Sequence, residues 1–120
     1  MKSMMRKTRV FVSGPLTTGE PITNIRKAVD AAEELMQAGY TPIVPHLMYF
    51  WQMVYPHSWD EMMTVCTEQV KACDVLLRLP GPSRGASVEE KVARKRGMPV
   101  VGSIPVLKAM YPAERVDDGA

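Results

Sequence analysis

The 120-residue sequence has little of several features that would assign it to a special class of protein. Its two cysteines, Cys66 and Cys73, would lie about 10 Å apart along one helix, too far for a disulfide. No window is long and apolar enough to span a membrane. The formal net charge is only +2, which gives no electrostatic case for binding nucleic acid. These absences indicate a reduced, cytoplasmic protein that binds neither membranes nor nucleic acid.

The few cysteines and histidines also lack the spacing of metal ligands, and we expect neither a metal nor a cofactor. The basic N-terminal residues precede an apolar run, Val10–Val12, that is too short for the core of a signal peptide. The length fits one compact domain over residues 1–120. We expect residues 1–7 and 112–120 to be flexible.

Short apolar runs alternate with helical periodicity along the chain. The apolar runs predict strands at residues 8–12, 40–44, 75–79 and 99–101. Helical spacing and capping residues predict four helices: one from Ile25 to the cap Gly39, one from Ser58 to Asp74, one over Ser87–Arg96, and a short one over Val106–Met110. Residues 46–57, rich in aromatics and methionine, remain unassigned.

This alternation predicts an α/β fold with a four- to five-stranded, mainly parallel sheet and helices on both faces. In such sheets ligands bind at the carboxyl ends of the strands. Two loops rich in glycine, proline, serine and threonine, residues 13–24 and 80–87, lie at that edge. The aromatic segment 46–59 leaves the same edge.

Two adjacent carboxylates follow the second of these loops. With the helix starting at Ser87, Glu90 points outward and forms a capping box with Ser87. Glu89 lies roughly 40° from Ala93 and so borders the apolar stripe. Its carboxylate either interacts favourably with the helix N-terminus or serves a function, and the residues alone leave both open. The helix dipole favours the ionised form, which suits a nucleophile.

The aromatic segment has two interpretations. Its side chains either cover the sheet edge or form a dimer contact, or they hold a flat ligand. His46 follows a strand end and is therefore the better functional candidate of the two histidines.

The stretches "FVSGPLT" and "CDVLLRLPGPSRGASVEEKVARKRGMPV" resemble the nucleoside 2-deoxyribosyltransferase-like family over residues 8–102. The resemblance rests on S-x-G-x-x-x-E followed by A-x-x-x-G-x-P-V, and short, uncharacterised bacterial and phage members are the most similar. The family also includes deoxynucleoside 5'-monophosphate N-hydrolases. The resemblance implies a single-domain, Rossmann-like three-layer sandwich that cleaves N-glycosidic bonds.

The resemblance also implies roles for individual residues. Glu89 matches the glutamate that attacks the anomeric carbon of the sugar. Ser83, beside Gly85, matches a phosphate-binding serine and favours a nucleoside monophosphate as substrate. Together with the two loops, these matches predict a substrate site formed by Ser13, Gly14, Pro15, His46, Tyr49, Ser83, Arg84, Gly85 and Ser87.

The sequence departs from the family pattern at Cys66, where an aspartate commonly assists the sugar and the catalytic glutamate. Thr17 and Thr18 also stand where the mammalian-type hydrolases carry an arginine. A catalytically silent nucleotide-binding protein is therefore the alternative to an N-glycosidase, and cleavage of an NAD-type substrate is a less favoured third. The resemblance further implies a homodimer or higher homo-oligomer, in which the partner often completes the site.

Overall fold

A four-stranded, fully parallel sheet forms the centre of the computed structural model, which describes residues 7–113. The strands are β1 (Arg9–Ser13), β2 (Thr41–Ile43), β3 (Val75–Arg78) and β4 (Val100–Val101), in the spatial order β2-β1-β3-β4. The predicted α/β class with a parallel sheet is confirmed. Most of the residues that we expected to be flexible, at 1–7 and 112–120, lie outside the described range.

Five α-helices flank the sheet in this part of the chain: α1 (Pro21–Gln37), α2 (Met48–Val54), α3 (Trp59–Lys71), α4 (Arg84–Lys95) and α5 (Ile104–Met110). None of these helices is long and apolar enough to cross a membrane. A proline opens α1, because its missing N–H costs nothing at the first helical position. The loop after β1 is therefore shorter than predicted.

Strand alternation divides the core between the two faces of the sheet. Val10 and Val12 of β1 pack towards α1, in a buried cluster that also contains Leu35 and Leu107. Phe11 lies on the other face, in a second cluster with Val70 of α3 and Ala93 of α4. The same alternation places Ser13, the last residue of β1, on the face covered by α3 and α4.

The unassigned segment forms a 3₁₀ turn at Pro45–Leu47 followed directly by α2. Helical periodicity is absent there because apolar side chains occupy every side of α2. The capping box predicted at Ser58 and Glu61 is confirmed, since the Ser58 hydroxyl accepts the Glu61 N–H and the Glu61 carboxylate accepts the Ser58 N–H.

Candidate functional site

A cavity of about 520 Å³ opens at the carboxyl ends of the strands. The loop after β1 contributes Gly14 and Leu16–Thr18 to its wall, and residues of the first turns of α3 and α4 line it as well. The 3₁₀ turn and α2 supply the remaining side. The cavity therefore occupies the edge at which parallel sheets bind ligands.

Glu89 lines this cavity although its side chain is only 5 % exposed. The hydroxyl of Ser13 donates a hydrogen bond of 2.7 Å to its Oε1 atom. Burial raises the pKa of Glu89 to about 7, while the Ser13 hydrogen bond and the positive charge of Arg78 act in the opposite direction. Near neutral pH the carboxyl group is consequently divided between its ionised and protonated forms.

Sheet register brings the polar groups together at this point. Ser13 and Arg78 are the final residues of β1 and β3 and are partners in the parallel ladder. Both follow residues of the second core cluster, Phe11 and Leu76 respectively, by two positions, so both point towards α4. A hydroxyl donor and a cation are thus fixed to the two central strands beside the carboxylate.

The start of α4 differs from the predicted start. The N-cap is Ser83, whose hydroxyl accepts the Ala86 N–H at 3.1 Å, and the helix begins at Arg84 rather than near Ser87. Glu89 is therefore in the second turn and lies within the buried stripe, with Ala86 and Ala93. The expectation that the helix N-terminus holds Glu89 ionised is wrong, because desolvation dominates at this depth.

Glu90 does not cap Ser87, which corrects the second expectation about this pair. Its carboxylate lies 2.9 Å from Nε of Arg94 and 3.8 Å from Nε of Arg78. Arg78 also donates to the carbonyl groups of Leu79 and Gly81. The two neighbouring glutamates therefore have different surroundings: one is buried against the cavity, and the other is paired with two arginines outside it.

Gly14 allows the loops after β1 and β3 to approach closely. A β-carbon at this position would lie 2.8 Å from Cβ of Leu79, well inside van der Waals contact. Gly81 has a φ of +113°, and a β-carbon added there would lie 2.9 Å from Cγ of Pro15. The two loops that border the cavity are therefore interlocked and not independent of each other.

His46 is buried at the cavity wall, and its Nε2 atom lies 3.1 Å from the carbonyl oxygen of Pro15. Burial lowers the pKa of His46, although the carbonyl groups of Pro15 and Gly14 act against this. A carbonyl can only accept, so Nε2 carries the proton and donates. The neutral imidazole therefore holds the loop after β1 in place.

The Cys66 thiol is also part of the wall, and burial together with the charge of Glu89 raises its pKa to about 12. Its S–H group donates to Sδ of Met48 at 3.7 Å. Met62 and Met63 lie on the same side of the cavity. This wall is thus apolar and polarisable, with a neutral thiol in place of the carboxylate of the family pattern.

A cation and an aromatic ring meet between α3 and α4. The Arg84 guanidinium carbon lies 3.9 Å from the centre of the Trp59 ring, a cation–π contact, and both residues line the cavity. Among the cavity-lining residues in the part of the chain that the structure describes, Arg84 is the only lysine or arginine.

The structure brings together most of the residues that we predicted from the sequence. Gly14, His46, Tyr49, Ser83, Arg84, Gly85 and Glu89 line the cavity, and Ser13 lies directly behind Glu89. Pro15 and Ser87 do not line it: Pro15 faces away towards Asn24 and Lys27, and Ser87 is exposed on α4.

Sequence reasoning missed the part of the wall formed by Gln52, Met62 and Met63. A usable signal was present, because Trp59, Met62, Met63 and Cys66 follow the Ser58 cap at helical spacing from a start near the ligand edge. Among the described residues, no group of three His, Cys, Asp or Glu side chains is placed to hold a metal ion.

These features define a parallel α/β domain with a buried carboxylate in a cavity at the ends of its central strands. A family model matches residues 8–102, and the chain belongs to that family, which is described as a domain of unknown function, DUF4406. No curated protein matches the chain.

Among solved structures, the fold is similar to that of 2-desoxiribosyltransferase from Leishmania mexicana, with a TM-score of 0.59 and 14 % sequence identity. The similarity covers 78 % of this chain but only 61 % of the Leishmania enzyme. At this identity the similarity concerns the fold alone.

Proposed function

We propose that this protein cleaves the N-glycosidic bond of a nucleoside 5'-monophosphate or nucleoside, with Glu89 as the nucleophile. The observation that carries the proposal is a carboxylate with a pKa of about 7, buried against a cavity at the strand ends and held by Ser13. Strongly perturbed carboxylates in clefts are typical of catalytic sites.

In the proposed reaction the ionised carboxylate forms a bond to C1' of the sugar. The C1'–N bond breaks, and its electron pair leaves with the base, which takes up a proton from water. Water then attacks C1', which regenerates the carboxylate and releases the sugar; a second base attacking instead gives transfer. The two steps parallel those of retaining glycosidases. The Ser13 hydrogen bond to Oε1 would orient the other carboxylate oxygen towards the sugar.

The walls suggest how the substrate would lie. The first turn of α4 offers backbone N–H groups at Arg84 and Gly85 together with the Arg84 guanidinium, a favourable place for a phosphate. Tyr49 and the methionines supply a flat, apolar surface for the base. A cavity of about 520 Å³ is in the range that holds a small molecule such as a nucleoside 5'-monophosphate.

The test is a panel of nucleosides and 5'-monophosphates assayed by chromatography for released base. Replacing Glu89 with glutamine should reduce the rate by a factor on the order of 10³ or more, because the nucleophile is lost while the cavity keeps its shape. The adjacent Glu90→Gln variant is the matched control and should stay within about threefold of the wild type. Base release that survives in Glu89→Gln would contradict the proposal.

A second candidate function is nucleotide binding without turnover. The neutral Cys66 thiol favours it, because no second carboxylate is available at that position to assist the sugar. Calorimetry that shows tight binding of a monophosphate, with no base released over long incubation, would favour binding over catalysis.

A further inference from the structure

The part of the cavity wall that follows β1 is not held in place by burial. Residues 17–20 are all exposed, and Gly19 has a φ of +87°, a conformation that glycine adopts readily. Leu16, Thr17 and Thr18 nevertheless line the cavity. Exposed loops with few buried contacts are mobile unless hydrogen bonds fix them, so the hydrogen bonds of this loop decide the shape of the wall.

Asn24, near the start of α1, supplies two of these hydrogen bonds. Its Nδ2 atom donates to the carbonyl oxygen of Leu16 at 2.9 Å and to that of Thr18 at 2.8 Å. His46 holds a third carbonyl group, that of Pro15, through Nε2. Three carbonyl groups of the loop are therefore fixed by two side chains that belong to other elements.

Asn24 itself is not among the described residues that line the cavity. It lines a second, smaller pocket of about 100 Å³, together with Pro15 and Lys27. The peptide bonds of the described residues are all trans, so each N–H points opposite to the preceding carbonyl group. Because the Leu16 carbonyl is turned to Asn24, the N–H of Thr17 points away from Asn24. Within the described part of the chain, that N–H has no backbone partner.

The residue type at position 24 fits this arrangement. Asparagine is a poor helix former, so its place in α1 has a reason other than helix stability. A carbonyl oxygen can only accept, and two carbonyl groups held by one atom require two donor hydrogens on that atom. The amide nitrogen of asparagine has two, whereas a serine or threonine hydroxyl has one and an ionised aspartate has none.

We infer that Asn24 is a positioning residue for the substrate: it fixes the loop after β1 as a wall of the cavity and presents the Thr17 N–H to a hydrogen-bond acceptor of the ligand. Its role in substrate binding rests on the proposed function. Glu89 is held separately, by the Ser13 hydroxyl of β1. Loss of the Asn24 hydrogen bonds therefore changes how the substrate binds and leaves the nucleophile in place.

Nitrogen-15 relaxation measurements on the full chain test the loop without a ligand. In the wild type the amides of residues 16–19 should have order parameters of about 0.85, and in Asn24→Leu and Asn24→Asp they should fall below about 0.6. Both variants should fold, since leucine is a better helix former than asparagine and aspartate a comparable one. Thr23→Ala, at the adjacent exposed residue, is the matched control and should keep the wild-type values.

Steady-state kinetics tests the role in binding, with the nucleoside 5'-monophosphate from which the wild type releases base fastest. Both Asn24 variants should raise KM about tenfold or more and leave kcat within about threefold, because the wall contacts the substrate and the transition state alike. Thr23→Ala should leave both constants at their wild-type values.

A wild-type loop that is already mobile, order parameters that do not change in either variant, or an unchanged KM would each overturn the inference. So would a kcat that falls as much as kcat/KM, because the loss would then lie in the chemical step. A wild type that releases no base would contradict the proposed function alone, and the relaxation data would still decide whether Asn24 fixes the wall.

Discussion

The two faces of the sheet use the same strands for different purposes. On the α1 face, Val10, Val12, Val75 and Leu77 pack into a closed core with α1 and α5. On the opposite face the core ends at Phe11 and Leu76, and the next inward positions are Ser13, which holds the cavity residue Glu89, and Arg78. Because side chains alternate along a strand, one five-residue segment supplies both a packed interior and a polar site.

The two faces of the sheet also differ in how they affect the stability of the fold. The closed face gains stability from apolar burial, whereas the cavity face keeps a carboxylate that burial disfavours. A raised carboxyl pKa means that ionisation weakens the folded state.

The largest effect on stability is expected in the closed face. Leu77→Ala should reduce the free energy of unfolding by about 2–5 kcal/mol, because a fully buried leucine leaves an internal void. Met63→Ala, on the cavity wall, should cost less than about 1 kcal/mol, since its side chain already borders open space. Urea denaturation of both variants checks the pair, and equal losses would contradict the distinction between the faces.

Glu89→Gln should stabilise the protein in a pH-dependent way. The folded-state pKa of about 7 lies above the ordinary value of 4.5, so the wild type loses stability as pH rises between these values. The advantage of the variant should be small near pH 4 and should approach a value on the order of 3 kcal/mol at pH 8. Denaturation at both pH values measures it, with Glu90→Gln as the control. A gain that is independent of pH would show that desolvation of the charge is not its cause.

Gly14→Ala, at the carboxyl edge of the sheet, should reduce the free energy of unfolding by about 1–3 kcal/mol. The added β-carbon would lie 2.8 Å from Cβ of Leu79, and the loop after β3 would have to shift. Gly102→Ala, where no atom lies within 4 Å of the added carbon, is the matched control. Thermal unfolding compares them, and similar melting temperatures for both variants would argue against a close approach at Gly14.

The smallest effect is expected from Arg78→Gln. The positive charge of Arg78 lowers the pKa of Glu89, so its removal should raise that pKa above the wild-type value. Arg78→Lys should preserve most of the effect, since the charge remains. A carbon-13 NMR titration of the Glu89 carboxyl group gives the direction, and a pKa that falls in Arg78→Gln would contradict the electrostatic assignment.

Much of the fold was predictable because local patterns and tertiary structure agree. One structure fits each of two patterns: a strand fits the apolar run at Val75–Leu79, and a helix fits the spacing of apolar residues after Ile25. The start of α4 was not predictable in this way, because both Ser83 and Ser87 fit as caps. The ion pair between Glu90 and Arg78 was not predictable either, because it joins residues that no local rule connects.

The candidate site was likewise only partly predictable from the sequence. The positions of Glu89, Ser83 and Gly85 at the cavity follow from motif spacing and from the strand that precedes them. The hydrogen bond from Ser13 to Glu89 joins residues 76 positions apart and depends on the register of β1 against β3. The direction of the Glu89 pKa shift depends on burial, which motif spacing alone does not reveal.

The Ser13 hydrogen bond has a consequence for how this scaffold can change. Ser13 belongs to a strand that is paired on both sides, so the carboxylate is oriented relative to the middle of the sheet. Thr17 and Thr18, by contrast, lie on the exposed loop after β1 and line the cavity. In the proposed activity, substitutions there would alter which substrates bind while Glu89 keeps its alignment, so a new specificity would not require a new nucleophile.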